Sequence, residues 1–307
     1  MRVLSAEQVH AALDLDELAD AIGRTLLASP VAPLRHAHAL SATDSLLLMP
    51  AWSSDALGVK LVTVMPDNPA RQLSTVNAIY VLLDRASGAA RAVIDGEALT
   101  LRRTAAVSLI AARQLARADA RNALVIGTGK LAPYMAHAHA RARRLDRLWV
   151  WGRRGEGAQS VAQQLRDQGL PAQAVEDLES AVRDADVISC ATTSTRPIVR
   201  GAWVSAGSHL DLVGGFRRGM READDEAIAR ARIVVDTYAG ALAEAADILE
   251  PIEHGAITRA SVVAELAELL REPARGRTAA TDVTLFKSVG TAVADLAAAQ
   301  LLLDRAA

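Results

Sequence analysis

Residues 123–132 read Ala-Leu-Val-Ile-Gly-Thr-Gly-Lys-Leu-Ala, and no other stretch constrains the fold of this chain as tightly. The short apolar run Leu124–Ile126 enters a turn that carries Gly127 and Gly129. Leu131, Tyr134, Met135 and Ala138 follow at helical spacing. A strand that enters a helix through Gly-x-Gly, with a small residue (Ala132) at the third position, forms the turn that cradles a dinucleotide pyrophosphate. Gly127 permits the tight turn, Gly129 lets backbone approach the phosphates, and Ala132 keeps helix close to strand. The helix N-terminus adds N–H groups and the positive end of its dipole. An ordinary βα turn uses the same elements, so the sequel has to decide. The motif also sits mid-chain, with a large segment before it.

With 307 residues the chain can bury one large or two medium cores. A net charge of −2 gives no general attraction to nucleic acid or anionic membrane, and neither is expected as a partner. Hydrophobic residues make up 51% but aromatics only 3%, so the excess is alanine and aliphatic, as in helix-rich α/β proteins. Glu7, Asp14, Asp16 and Glu17 interrupt the first residues too often for a signal sequence, and Cys190 has no partner for an internal disulfide. A cytoplasmic protein is expected.

Ser5–Gln8 and Asp14–Glu17 read as capping boxes of two short helices. Strands are predicted at Ser45–Met49, Gly58–Met65, Val76–Leu83 and Ala90–Ile94, and Thr100 as the cap of a helix reaching about Ala116. From Asn122 the rhythm alternates. Strands are expected at 123–126, 147–151, 186–190, 208–213 and 232–236, with helices near 130–143, 157–168 and 177–184. That alternation predicts an α/β class with a Rossmann-type, doubly wound parallel sheet at 119–287. Residues 1–118, completed by a last helix within 288–307, form a separate α+β domain.

NAD-binding folds usually place an acid on the adenosine ribose roughly 20 residues after the glycines. Here the second strand ends in Gly152-Arg153-Arg154, which suits a 2′-phosphate and favours NADP(H); Glu156 keeps NAD(H) open. Thr192, in Cys190-Ala191-Thr192-Thr193-Ser194, leaves a strand at its carboxyl end, where ligands lie in such sheets. Arg102 and Arg103, read as first-turn helix residues, oppose the helix dipole; Arg103 with free N–H groups then forms a carboxylate site, while Arg102 suits the surface. Lys60 shares the face of Val62 and Val64, either as an edge-strand gatekeeper or as a site residue. Arg35 lies in a predicted strand after Pro33.

Gly58-Val59-Lys60, Leu99-Thr100-x-Arg102-Arg103-Thr104-Ala105-Ala106, Gly127-x-Gly129 and Phe286-Lys287-Ser288-Val289-Gly290 occur in that order. With them the chain resembles the ornithine cyclodeaminase/mu-crystallin family from end to end. The resemblance implies a homodimer in which the N-terminal part and the last helix bind substrate. It places the carboxylate clamp on Arg35, Lys60 and Arg103, with Lys60 also a proton donor to the substrate nitrogen, and Met49 in the pocket. It assigns Gly129, Lys130 and Leu131, beside Gly127 and Thr128, to the pyrophosphate turn. Arg153 falls at the adenosine ribose, and Thr192, Val213, Lys287 and Ser288 at the nicotinamide.

One departure bears on the reaction. Cyclodeaminating members carry an aspartate after the segment matching Val213-Gly214-Gly215, and this chain has Phe216, which has no titratable group. Asp211 is the nearest substitute. The resemblance then implies an NAD(P)H-dependent oxidoreductase acting on an α-amino or α-imino (ketimine) acid by hydride transfer at Cα. The alternatives are ornithine cyclodeamination with NAD recycled, which Phe216 disfavours, and an NADPH-dependent small-molecule binding protein without catalysis.

Overall fold

The structure, a computed structural model, describes residues 1–305. The last two positions of the expected C-terminal segment lie outside the described residues. The chain divides into two compact units, Met1–Ala106 with the segment from Thr291, and Val107–Gly290. The division falls earlier than residue 118 because Ala116 and Ala120 pack into the same cluster as Ala123, Val125, Leu148 and Val150.

The first unit begins with β1 (Arg2–Leu4), α1 (Ala6–Ala12) and α2 (Leu15–Leu27). Ser5 and Gln8 close a reciprocal capping box, and Asp14 accepts the N–H groups of Asp16 and Glu17. There follow β2 (His36–Ala39), β3 (Ser45–Trp52), β4 (Ala56–Val64), β5 (Val76–Asp84) and β6 (Ala90–Asp95). The sheet runs β1-β6-β5-β4-β3-β2, antiparallel except for β1 beside β6. On β4, Ala56, Gly58, Lys60, Val62 and Val64 alternate onto the buried face. The helix Ala292–Arg305 packs against α2 and strands β3, β4 and β5.

Three expectations change here. Strand β4 is interior to the sheet, so Lys60 is no edge gatekeeper. Arg35 precedes β2 rather than lying in a strand. Helix α3 (Gly96–Leu115) starts four residues before Thr100. Asp95 accepts the Ala98 N–H at 2.8 Å and caps it, while Thr100 donates to the Gly96 carbonyl from inside the helix. Arg102 and Arg103 therefore sit past the first turn, and no free N–H groups adjoin them. Arg102 bonds His10, through Nε to Nδ1 at 3.3 Å and through Nη2 to the carbonyl.

The second unit holds β7 (Asn122–Ile126), β8 (Arg147–Trp151), β9 (Ala172–Ala174), β10 (Val187–Cys190), β11 (His209–Leu212), β12 (Ala231–Val235), β13 (Val262–Glu265) and β14 (Val283–Lys287). Helices α4 (Ala132–Ala142), α5 (Gly155–Asp167) and α6 (Leu178–Asp184) follow the first crossovers. The order β13-β12-β14-β11-β10-β7-β8-β9 is parallel throughout. From β7 the chain winds outward through β8 to β9, then returns to β10 and winds the other way. The reversal between β7 and β10 opens a crevice over their carboxyl ends, the ligand position in sheets of this kind. Strand β14 escapes prediction because all five of its residues are buried, leaving no alternation to read.

Candidate active site

In the first unit, Lys60 reaches from β4 to Asp295 on the C-terminal helix, with Nζ 3.0 Å from Oδ1 and 2.8 Å from Oδ2. Its third neighbour is the Thr100 hydroxyl at 3.3 Å. From α3, Arg103 Nε donates to the same Asp295 Oδ1 at 3.1 Å. Lys60, Arg103 and Asp295 are all buried. Burial pulls the Lys60 ammonium down to about 8; Asp295 resists the shift, and Arg103 and Arg35 add to it. Burial alone would raise the Asp295 carboxyl, but Arg103 and Lys60 outweigh it and hold the group below its usual range.

Two cations on one carboxylate leave the cluster net positive, and half-buried Arg35 lies close enough to act on Lys60 electrostatically. Arg103 spends only Nε on Asp295. Its two terminal nitrogens have no hydrogen-bond partner among the described residues and present the geometry that grips a carboxylate. Met49 is the register partner of Lys60 on β3 and is 4% exposed. Tyr80, the partner on β5, is fully buried, and its hydroxyl lies over Gly58, where a Cβ would come within 2.2 Å of it.

The second unit carries the glycine turn. Gly127 has φ 130°, and a Cβ there would lie 2.5 Å from the Ala191 carbonyl oxygen on the loop leaving β10. Only glycine fits between the two loops. At Gly129 an added Cβ would meet nothing within 4 Å, so the turn faces open space. Thr128 packs beside Gly152 and Gly157, and Lys130 is exposed. Helix α4 begins just after, its N-cap Leu131 making no side-chain cap bond and Ala132 fully buried. Open space at Gly129 and a glycine at 127 forced by close approach fit a dinucleotide pyrophosphate. At the tip of β8, Arg153 and Arg154 are exposed and form no ion pair among the described residues; Glu156 is exposed nearby.

Thr192 and Val213 lie on the loops after β10 and β11. The Thr192 hydroxyl and N–H both donate to Glu222 Oε1, at 2.9 and 2.8 Å. Val213 is buried, its N–H on the Cys190 carbonyl. Lys287 is fully buried with Nζ 2.9 Å from Asp247 Oδ2 and 4.0 Å from Glu222 Oε2. Burial disfavours that ammonium, but Asp247 and Glu222 outweigh it and raise its pKa. Ser288 donates to Asp236 Oδ2, which also takes the N–H groups of Val289 and Gly290. Lys287 and Ser288 are thus bound to buried acids.

Phe216 is half-buried and packs against the core of its unit. Asp211 is fully buried, accepting the Ser108 and Ser189 hydroxyls at 3.1 Å each, with His139 Nε2 at 3.0 Å. It is committed to that network and does not stand in for the acid missing at Phe216. Sequence reasoning missed Asp295, Tyr80, Glu222, Asp247 and Asp236. Asp295 did leave a signal, as the only charge between Lys287 and Asp304. A lone acid in an apolar helix is a buried, paired one.

The chain is thus an α/β protein with one unit of Rossmann type and another that buries a net-positive cluster of Lys60, Arg103 and Asp295. The family model described as ornithine cyclodeaminase/mu-crystallin family matches residues 1–307, and the chain belongs to that family. The Delta(1)-pyrroline-2-carboxylate reductase of Colwellia psychrerythraea is 34% identical, with 100% of both chains covered. The structure of the Thermococcus litoralis Delta(1)-pyrroline-2-carboxylate reductase in complex with NADH and L-proline is similar at TM-score 0.95 and 32% identity, covering 100% of this chain and 97% of that one. An archaeal alanine dehydrogenase dimer with bound NAD gives TM-score 0.94 at 29% identity, covering 100% and 96%. Among the described residues no helix is long and apolar enough to cross a membrane.

Proposed function

We propose that this protein is an NAD(P)H-dependent reductase of cyclic α-imino acids, converting a ketimine carboxylate such as Δ1-pyrroline-2-carboxylate to the amino acid. The observation that carries this reading is the net-positive cluster of Lys60 and Arg103 on the single buried carboxylate of Asp295. Such a cluster is complementary to one more carboxylate. The reductases and the proline complex among its relatives point to the same substrate class.

Arg103, through its unpartnered terminal nitrogens, and Arg35 bind the substrate carboxylate. Lys60, brought down to about 8, gives up its Nζ proton near neutral pH more readily than an ordinary lysine, and it protonates the imine nitrogen. Asp295 orients both cations, and Met49 gives the site an apolar wall. A bound nicotinamide supplies the hydride that reaches Cα. Gly127, Thr128, Gly129, Lys130 and Leu131 hold its pyrophosphate. Thr192, Val213, Lys287 and Ser288 shape the nicotinamide side, and Phe216 makes the pocket more apolar.

An NAD-type nucleotide is the cofactor, in keeping with the NADH and NAD of the similar structures. Arg153 and Arg154 at the β8 tip, exposed and without an ion pair among the described residues, support use of the phosphorylated form. The unit Met1–Ala106 with the C-terminal helix is the substrate and dimerisation domain, and Val107–Gly290 the nucleotide domain. A homodimer is supported by the archaeal relative and by the apolar residues exposed in this unit, Val31, Leu34, Leu40, Val76 and Ile79.

The test is nicotinamide absorbance during incubation with cyclic ketimine carboxylates. Consumption of NADH or NADPH with formation of proline is the expected result. No turnover across the panel overturns the proposal. Ammonia and proline released from ornithine with catalytic NAD would replace it with cyclodeamination.

A further inference from the structure

We propose that Glu222 is the positioning residue of the nicotinamide half-site, a tie that fixes the two loops leaving β10 and β11 against each other. The inference rests on the nucleotide reading above and concerns a residue outside the expected site. In a doubly wound sheet the phosphates lie at the turn after β7, and the adenosine lies over β8 on one side of the switch point. The other half of the nucleotide then falls over β10 and β11, the strands whose loops Glu222 joins.

Four donors converge on this one carboxylate. Oε1 takes the Thr192 N–H at 2.8 Å and hydroxyl at 2.9 Å, and Oε2 takes the N–H groups of Gly214 at 2.9 Å and Gly215 at 3.2 Å. Each oxygen has two lone pairs, so the acceptor capacity is filled. Glu222 therefore has nothing left for a reacting atom and acts through the loops. The loops touch at the tie. A Cβ on Gly214 would stand 2.1 Å from the Thr192 carbonyl oxygen and 2.2 Å from its nitrogen.

The tie is itself anchored. The Glu222 and Ala223 N–H groups both bond Asp247 Oδ1, at 2.8 and 3.2 Å, and Asp247 Oδ2 pairs with Lys287. Burial pushes the Glu222 carboxyl up to about 7, against the pull of Lys287. Thr192, Val213 and Lys287 are then one assembly, organised by an acid that no motif in the sequence marks.

The experiment compares two ligands that share everything except the nicotinamide, NADH and ADP-ribose, by titration calorimetry on the full-length protein. Wild type is expected to bind both. Glu222→Gln puts an NH2 group against donors and is expected to weaken NADH about ten-fold while leaving ADP-ribose within about two-fold. Thr192→Val removes one donor only, and it is expected to weaken NADH about three-fold with ADP-ribose unchanged. If the Gln variant does not fold, the Val variant carries the test. Equal loss for both ligands, or no loss for either, overturns the inference. Failure of wild type to bind either ligand overturns the nucleotide reading and the inference with it.

Discussion

The Asp295 carboxylate holds Lys60 and Arg103 at once, with its Oδ1 3.0 Å from the ammonium and 3.1 Å from the guanidinium Nε. One acid from the C-terminal helix thereby sets the separation of two cations carried by β4 and α3. Because all three groups are buried, breaking the pairing costs more than breaking a surface bridge would, and the cluster keeps one positive charge in excess.

Removing Asp295 leaves two buried cations without a counter-charge. Asp295→Asn is expected to lower unfolding stability by about 3–5 kcal/mol. It is also expected to raise KM for the imino acid by an order of magnitude or more, since Lys60 and Arg103 repel once unpaired. Denaturant titration and initial rates check both effects.

The lowered pKa of Lys60 gives a pH dependence. Reduction needs the ammonium form, so kcat/KM with the imino acid is expected to fall tenfold per pH unit above about 8. Lys60→Met is expected to abolish that descending limb together with most of the activity. A wild-type profile flat to pH 10 would remove Lys60 as the proton donor.

Cofactor choice is tested at the β8 tip. Arg153 is exposed and unpaired among the described residues, so its removal costs the fold little. Arg153→Ala is expected to weaken NADPH about ten-fold and NADH less than two-fold, read by fluorescence titration. Equal NADPH affinity before and after would take Arg153 out of the site.

Acid stability is expected to depend on His209. Burial holds its imidazole neutral down to about 3, with Thr284 Oγ1 at 3.0 Å from Nδ1. The unfolded chain takes up a proton below about 6.5 and the folded chain does not, so this contribution is complete above that value and lost as pH falls towards 3. The loss at pH 5 is about 2 kcal/mol. Denaturation midpoints at pH 7 and 5 should separate more in wild type than in His209→Gln.

The glycine turn and the parallel sheet were legible in the sequence because each follows from local pattern. Gly-x-Gly ends an apolar run, and strands alternate with amphipathic helices. Lys60 was legible as an anomaly on an apolar face, but its edge-strand alternative fell only when β4 proved interior. The start of α3 was misplaced because Thr100 also has the residue type of a helix cap. Asp95 in fact caps the helix from the end of β6, and Gly96 is needed where a Cβ would stand 2.6 Å from the Ala78 carbonyl carbon. The buried acids were harder. Glu222 sits in Arg-Glu-Ala-Asp-Asp-Glu, which looks like solvated surface, and its four donors come from loops 7 to 30 residues away. Long-range convergence of that kind leaves no local pattern.

The proposed hydride transfer to Cα of a cyclic imino acid is followed with NADH carrying deuterium at both C4 positions and Δ1-pyrroline-2-carboxylate as acceptor. Mass spectrometry of the product is expected to find proline with one deuterium at Cα and none elsewhere. Proline without deuterium, or no proline while the labelled cofactor stays bound and unoxidised, would contradict the claim.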